Sequence, residues 1–148
     1  MQKTLSQRDS PSGPAQAGIQ TKQLRILSTV LLAFAVAQAG LGSGFLDDGS
    51  RVLLTAHTTN AFAVVVLCVL AAVFGLTSRR AGGPGWIFFL PVALVIASVI
   101  QLSLGFASIR GGHVFFGVLF LCTVTTYCSY TWRLLPNGRP AAARSDRS

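Results

Sequence analysis

Four apolar runs, each about 19 to 25 residues long, account for most of this chain between residues 24 and 132. They cover approximately 24–42, 52–76, 86–107 and 112–132. A helix of about 20 residues crosses roughly 30 Å of hydrocarbon. Lipid offers no partner to a backbone amide, so the spanning structure must satisfy its own backbone, as a helix does. Only 11% of the residues are charged, against roughly 25% in a soluble domain. Between Ile26 and Trp132 the charges are Asp47, Asp48, Arg51, Arg79, Arg80 and Arg110, and all fall in breaks between the runs. The pattern predicts an all-α integral membrane protein, an up-down-up-down four-helix bundle of one domain over 24–134. Short connections make consecutive helices antiparallel neighbours.

The formal net charge is +8. Its placement argues against nucleic acid as a partner. Lys3, Arg8, Lys22 and Arg25 lie before or at the start of the first run, Arg79 and Arg80 separate the second and third, and Arg133, Arg139, Arg144 and Arg147 follow the fourth. These all fall on one side of a four-span chain. The positive-inside rule makes that side cytoplasmic, with both termini inside and the connections 43–51 and 108–111 outside. Trp86, Tyr130 and Trp132 then belong to the inner interface. Segments 1–23 and 135–148 are polar and rich in Ser, Gln, Pro, Gly or Arg, and are expected as disordered cytoplasmic tails. No cleavable signal peptide is evident before the first run. Pro91 lies inside the third run, where a kink is expected. Cys68, Cys122 and Cys128 lie within runs, without a metal-binding spacing, and read as small hydrophobes.

A polar signature occurs twice. Gln38-Ala39-Gly40-Leu41-Gly42 closes the first run and precedes His57; Gln101-Leu102-Ser103-Leu104-Gly105 closes the third and precedes His113. The chain has no other histidine. Runs one and three lead outward, and runs two and four lead inward. Gln38, His57, Gln101 and His113 therefore share one depth near the outer surface. The two hairpins become pseudo-repeats about an axis along the membrane normal. Small residues stand four positions on from each: Gly42, Ala61, Gly105 and Gly117. Positions i and i+4 share a helix face. The expectation is an apolar slot between two imidazoles, which suits a porphyrin ligated axially by both rings. Arg51 and Arg110 lie just outside the histidines and could pair with propionates in a bidentate fork or contact lipid headgroups. The cofactor-binding set is thus His57, His113, Arg51, Arg110, Gln38, Gln101, Ala61 and Gly117, with His57 and His113 as metal ligands. Three readings of the histidines stay open: metal or haem ligation, proton or quinone handling without haem, and polar contacts between helices. For Gln38 and Gln101, interhelical hydrogen bonding leads and support of the site follows.

With these residues in view, the chain resembles one half of haem A synthase-type membrane proteins. Those are built from two four-helix halves, each with histidines at the outer ends of its second and fourth helices. The resemblance spans about residues 24–133 and rests on His57, His113 and the two Gln-x-x-Leu-Gly runs. It implies a haem-binding bundle. In that family the active half places a glutamate in the first outer loop and many members carry a cysteine pair in outer loops; this chain has no Glu, and its outer connections carry no Cys. Asp47 and Asp48 stand in the corresponding loop and read as loop solvation. The resemblance therefore points to haem binding more than to a complete oxidising enzyme.

The expected function is that of a b-type cytochrome-like protein of the bacterial inner (cytoplasmic) membrane. It would hold haem b (heme b) between His57 and His113 and exchange electrons near the outer leaflet. Quinone, a respiratory complex, membrane lipid and a second copy of the chain (a homodimer) are its candidate partners. The alternative is a cofactor-free structural or assembly subunit. A transporter ranks lowest, because no run carries an Asp, Glu, Lys or Arg near its middle.

Overall fold

The computed structural model describes residues 14–135. Among them are four helices and no strand: α1 Pro14–Asp48, α2 Arg51–Arg80, α3 Trp86–Phe106 and α4 Arg110–Arg133. Each is long and apolar enough to cross a membrane. The chain is an all-α, multi-pass membrane protein. α1 packs on α2 and α4, and α3 packs on the same two helices. The result is a closed ring of four, with α1 opposite α3 and α2 opposite α4.

One seam of each helix turns inward. Leu24, Ser28, Leu31 and Ala35 are buried on α1, and Ile87, Pro91, Leu94 and Ser98 on α3. α2 buries Val64, Cys68, Ala71 and Gly75, while α4 buries Val124, Tyr127, Cys128 and Thr131. These positions step by four and three residues, the spacing of left-handed bundles with shallow crossing angles. The remaining faces are apolar and exposed, with Phe62, Val66, Ile96, Val99, Phe115 and Val118 among their residues. They face lipid. Since lipid is as apolar as the core, close packing and hydrogen bonds must hold the helices together. Ser28 Oγ and Thr131 Oγ1 meet at 2.7 Å between α1 and α4. Arg25 donates to the carbonyl of Thr131 (3.1 Å) in α4's last turn and to that of Leu135 (2.9 Å) just past its end.

Three boundaries differ from the sequence expectation. α1 starts at Pro14, so residues 14–23 are helical rather than part of a tail. Proline is preorganised for a first helical position, and the packing of Leu24 against Ile87 and Leu135 anchors the next turns. Leu135, expected to begin the second tail, is buried in that same cluster. The remainder of the expected tails, 1–13 and 136–148, lies outside the described residues. Finally, α1 absorbs most of the outer connection 43–51. Only Gly49 and Ser50 remain between the helices. Gly49 takes φ +67° and donates to Phe45 O at 2.9 Å, ending α1. Ser50 caps α2 by accepting from Leu53 N at 3.5 Å. Helix α3 runs continuously through Pro91, which is buried.

Cys68 and Cys128 are buried, Cys122 is exposed, and all three are free thiols. Trp86 packs edge-on against Tyr130 at 5.7 Å, at the end of the bundle that carries Arg25, Arg79, Arg80 and Arg133.

Candidate functional site

The inward seams continue past the core toward the opposite end, and there they become polar. On α1 the next steps are Gln38 and Gly42; on α3, Gln101 and Gly105. Extending α2 and α4 backward gives Ala61 and His57, then Gly117 and His113. All eight are half-buried except Gly105, which is exposed. Opposite helices thus deliver their imidazoles to one level. The His57 and His113 ring centres stand 5.9 Å apart, with the planes inclined at 69°.

Each histidine is oriented by the helix before it. His57 Nδ1 lies 3.2 Å from Gln38 O, and His113 Nδ1 lies 3.0 Å from Gln101 O. A carbonyl oxygen only accepts, so both rings carry their proton on Nδ1 and leave Nε2 as the acceptor nitrogen. The glycines make room for this. A Cβ on Gly42 would stand 3.0 Å from His57 Cε1, and one on Gly105 would stand 3.3 Å from His113 Cε1. The small residues were expected to leave a slot; at these two positions the chain's own imidazoles fill it. Gly117 faces the Gln101 amide, whose Nε2 is 2.9 Å from where its Cβ would be.

The first hairpin adds a residue that the sequence reading passed over. Asn60 Nδ2 donates to Phe34 O at 3.0 Å and to Gln38 Oε1 at 2.6 Å. Gln38 Nε2 lies 3.2 Å from His57 Nε2. The backbone carbonyl of Phe34 fixes Asn60 as donor, which makes the Gln38 oxygen an acceptor and turns its amide nitrogen toward His57. Every proton in the chain of contacts is thereby assigned. The corresponding position on α4 holds Phe116, which is exposed. Gln101 Oε1 is accordingly buried with no hydrogen-bond partner among the described residues, as is Tyr127 Oη. The signal for Asn60 was present in the sequence: an amide three residues after His57, inside an apolar run.

The two arginines occupy matching places. Arg51 opens α2, Arg110 opens α4, and both are exposed. Asp48 Oδ1 accepts from Ser50 N at 2.8 Å, a turn contact rather than a site.

The donor set favours one kind of metal group over others. Among the described residues no cluster of three His, Cys, Asp or Glu forms. Two imidazoles are too few for a structural zinc, which takes four protein ligands. They are the full axial complement of a porphyrin iron, whose remaining ligands come from the macrocycle. An imidazole nitrogen sits about 2 Å from a metal, and the ring centre lies about 1 Å further back, so two rings on one ion stand about 6 Å apart. The observed 5.9 Å matches that spacing and equally matches two rings packed edge to face. By donor chemistry, the pair of imidazoles is a set that a haem iron accepts. Compared with family profiles, curated proteins and solved structures, the chain matches none.

Proposed function

We propose that this protein is a membrane haem protein of the b-type cytochrome kind, in which His57 and His113 would hold the iron. The observation that carries the reading is the pair of Nδ1-protonated imidazoles brought from opposite helices to 5.9 Å. Haem supplies one-electron chemistry, and two protein ligands favour electron transfer over oxygen binding. The chain's own work is to fix the tautomers. The Gln38 and Gln101 carbonyls hold Nδ1–H and raise the basicity of Nε2. Arg51 and Arg110 would meet carboxylates at the rim. In a bacterial cytoplasmic membrane the arginine-rich end faces the cytoplasm and the histidines lie toward the outside, within reach of quinone or a respiratory complex. The reading is that of an electron carrier, not a complete enzyme.

A second reading has an observation of its own. The Asn60–Gln38–His57 contacts are closed without any metal, and 5.9 Å also suits two rings packed edge to face. On that reading the layer is polar packing in a cofactor-free subunit. One preparation separates the two. Protein expressed with ample haem and purified in mild detergent should give sharp low-spin bands in a reduced-minus-oxidised spectrum. Those bands should vanish in both His57→Ala and His113→Ala. A colourless, folded wild-type preparation would establish the cofactor-free reading instead.

A further inference from the structure

The two histidines are not equivalent, although the repeat makes them look so. His57 has both nitrogens engaged: Nδ1–H on Gln38 O, and Nε2 accepting from the Gln38 amide. His113 has Nδ1–H on Gln101 O, and among the described residues no donor reaches its Nε2. The difference traces to Asn60, which holds the Gln38 amide in place, against Phe116 at the equivalent position of the second hairpin. Only one imidazole thus has a hydrogen-bonded resting place for the lone pair that would bind a metal.

Resting on the haem reading above, we propose that His57 is the exchangeable ligand and His113 the permanent one. The site then takes a small neutral ligand, of the carbon monoxide class, on the His57 side. The incoming ligand would take the metal position that His57 gives up, so one dative bond would replace another, and the freed Nε2 lone pair would accept from the Gln38 N–H. No electron or proton would be transferred. Gln38 and Asn60 act as positioning residues. They make that departure cheaper by roughly the worth of one hydrogen bond, about fivefold in the equilibrium. The first hairpin supplies a latch, and the second supplies the anchor.

The test begins with carbon monoxide added to the reduced, haem-loaded protein. Wild type should bind it with loss of His57 ligation. His57→Ala should keep haem as a five-coordinate species that binds carbon monoxide faster still. His113→Ala should lose most of its haem. Gln38→Leu should lower carbon monoxide affinity about fivefold, because His57 then has nowhere else to go. Asn60→Leu, which leaves Gln38 itself intact, should shift it the same way by less. Unchanged or increased affinity in both variants would overturn the proposal, as would better haem retention in His113→Ala than in His57→Ala. A second readout needs no haem. In the metal-free protein, nitrogen NMR should find His57 Nε2 hydrogen-bonded and His113 Nε2 free, and Gln38→Leu should make the two alike. Two free Nε2 signals in wild type would sink the latch even if haem binds. Failure of every variant to take up haem, with the NMR asymmetry present, would instead sink the haem reading.

Discussion

Replacing Gly75 with leucine should prevent the bundle from assembling. Gly75 is buried on α2, and a Cβ there would overlap the carbonyl oxygen of Ile87 and stand 3.1 Å from Phe88 Cα. These are backbone atoms of α3's first turn and cannot swing aside as a side chain would. Alanine alone should cost about 1–3 kcal/mol, the usual range for overpacking a filled interior. Leucine must push α2 and α3 apart along their common seam, which also holds Cys68, Ala71, Leu94 and Ile87. Denaturation of the detergent-solubilised protein, followed by circular dichroism or by trapping of Cys68, should show a large loss for leucine and a smaller one for alanine. Gly40 supplies the contrast. Nothing lies within 4 Å of a Cβ at that position, so Gly40→Ala should stabilise the helix by up to about 1 kcal/mol.

On the haem reading proposed above, filling the seat of one imidazole should weaken ligation and leave the fold intact. A branched side chain at Gly42 occupies the space now taken by the His57 ring, since even a Cβ would press on Cε1 at 3.0 Å and Nδ1 at 3.2 Å. The ring must then turn away, losing its hold on Gln38 O and its approach to His113. Gly42→Val should therefore weaken haem binding by roughly 10–100-fold, the range seen when supports of a metal ligand are removed. Haem titration into the metal-free protein measures this, while helix content and thermal stability serve as the folding control. Gly105→Val should do the same at His113. Gly105→Ala should be the mildest of the series, because its Cβ meets the ring at 3.3–3.4 Å, which a shift of a few tenths of an ångström relieves.

The fold was legible because lipid removes the alternatives. Once Asp47, Asp48, Arg51, Arg79, Arg80 and Arg110 are seen to punctuate the apolar runs, helices are required, and short connections set their order. The common level of His57 and His113 was legible too, since a fixed rise per residue converts position into depth. What could not be read was how rings and amides pair. The partners of Nδ1 are backbone carbonyls, and a carbonyl carries no sequence signature. Gly42 and Gly105 looked like gaps from their own helices, whereas each proves to be the space that the opposing imidazole uses. Asn60 escaped notice because it has no counterpart in the second hairpin, and the search for repetition favours what is duplicated. Residues 14–23 read as part of a tail and 43–48 as part of a connection, yet helix continues through both. Capping at Gly49 and Ser50, rather than hydropathy, decides where it stops.

The two histidine–carbonyl contacts span 19 residues in one hairpin and 12 in the other. The surplus is seven residues: α1 runs five residues further past Gln38 than α3 does past Gln101, α2 begins three residues further before His57 than α4 does before His113, and the connection is one residue shorter. At about 1.5 Å per residue, both arms of the first hairpin rise higher past the histidine level. The first hairpin can therefore stand taller over the site than its twin and still aim its imidazole inward.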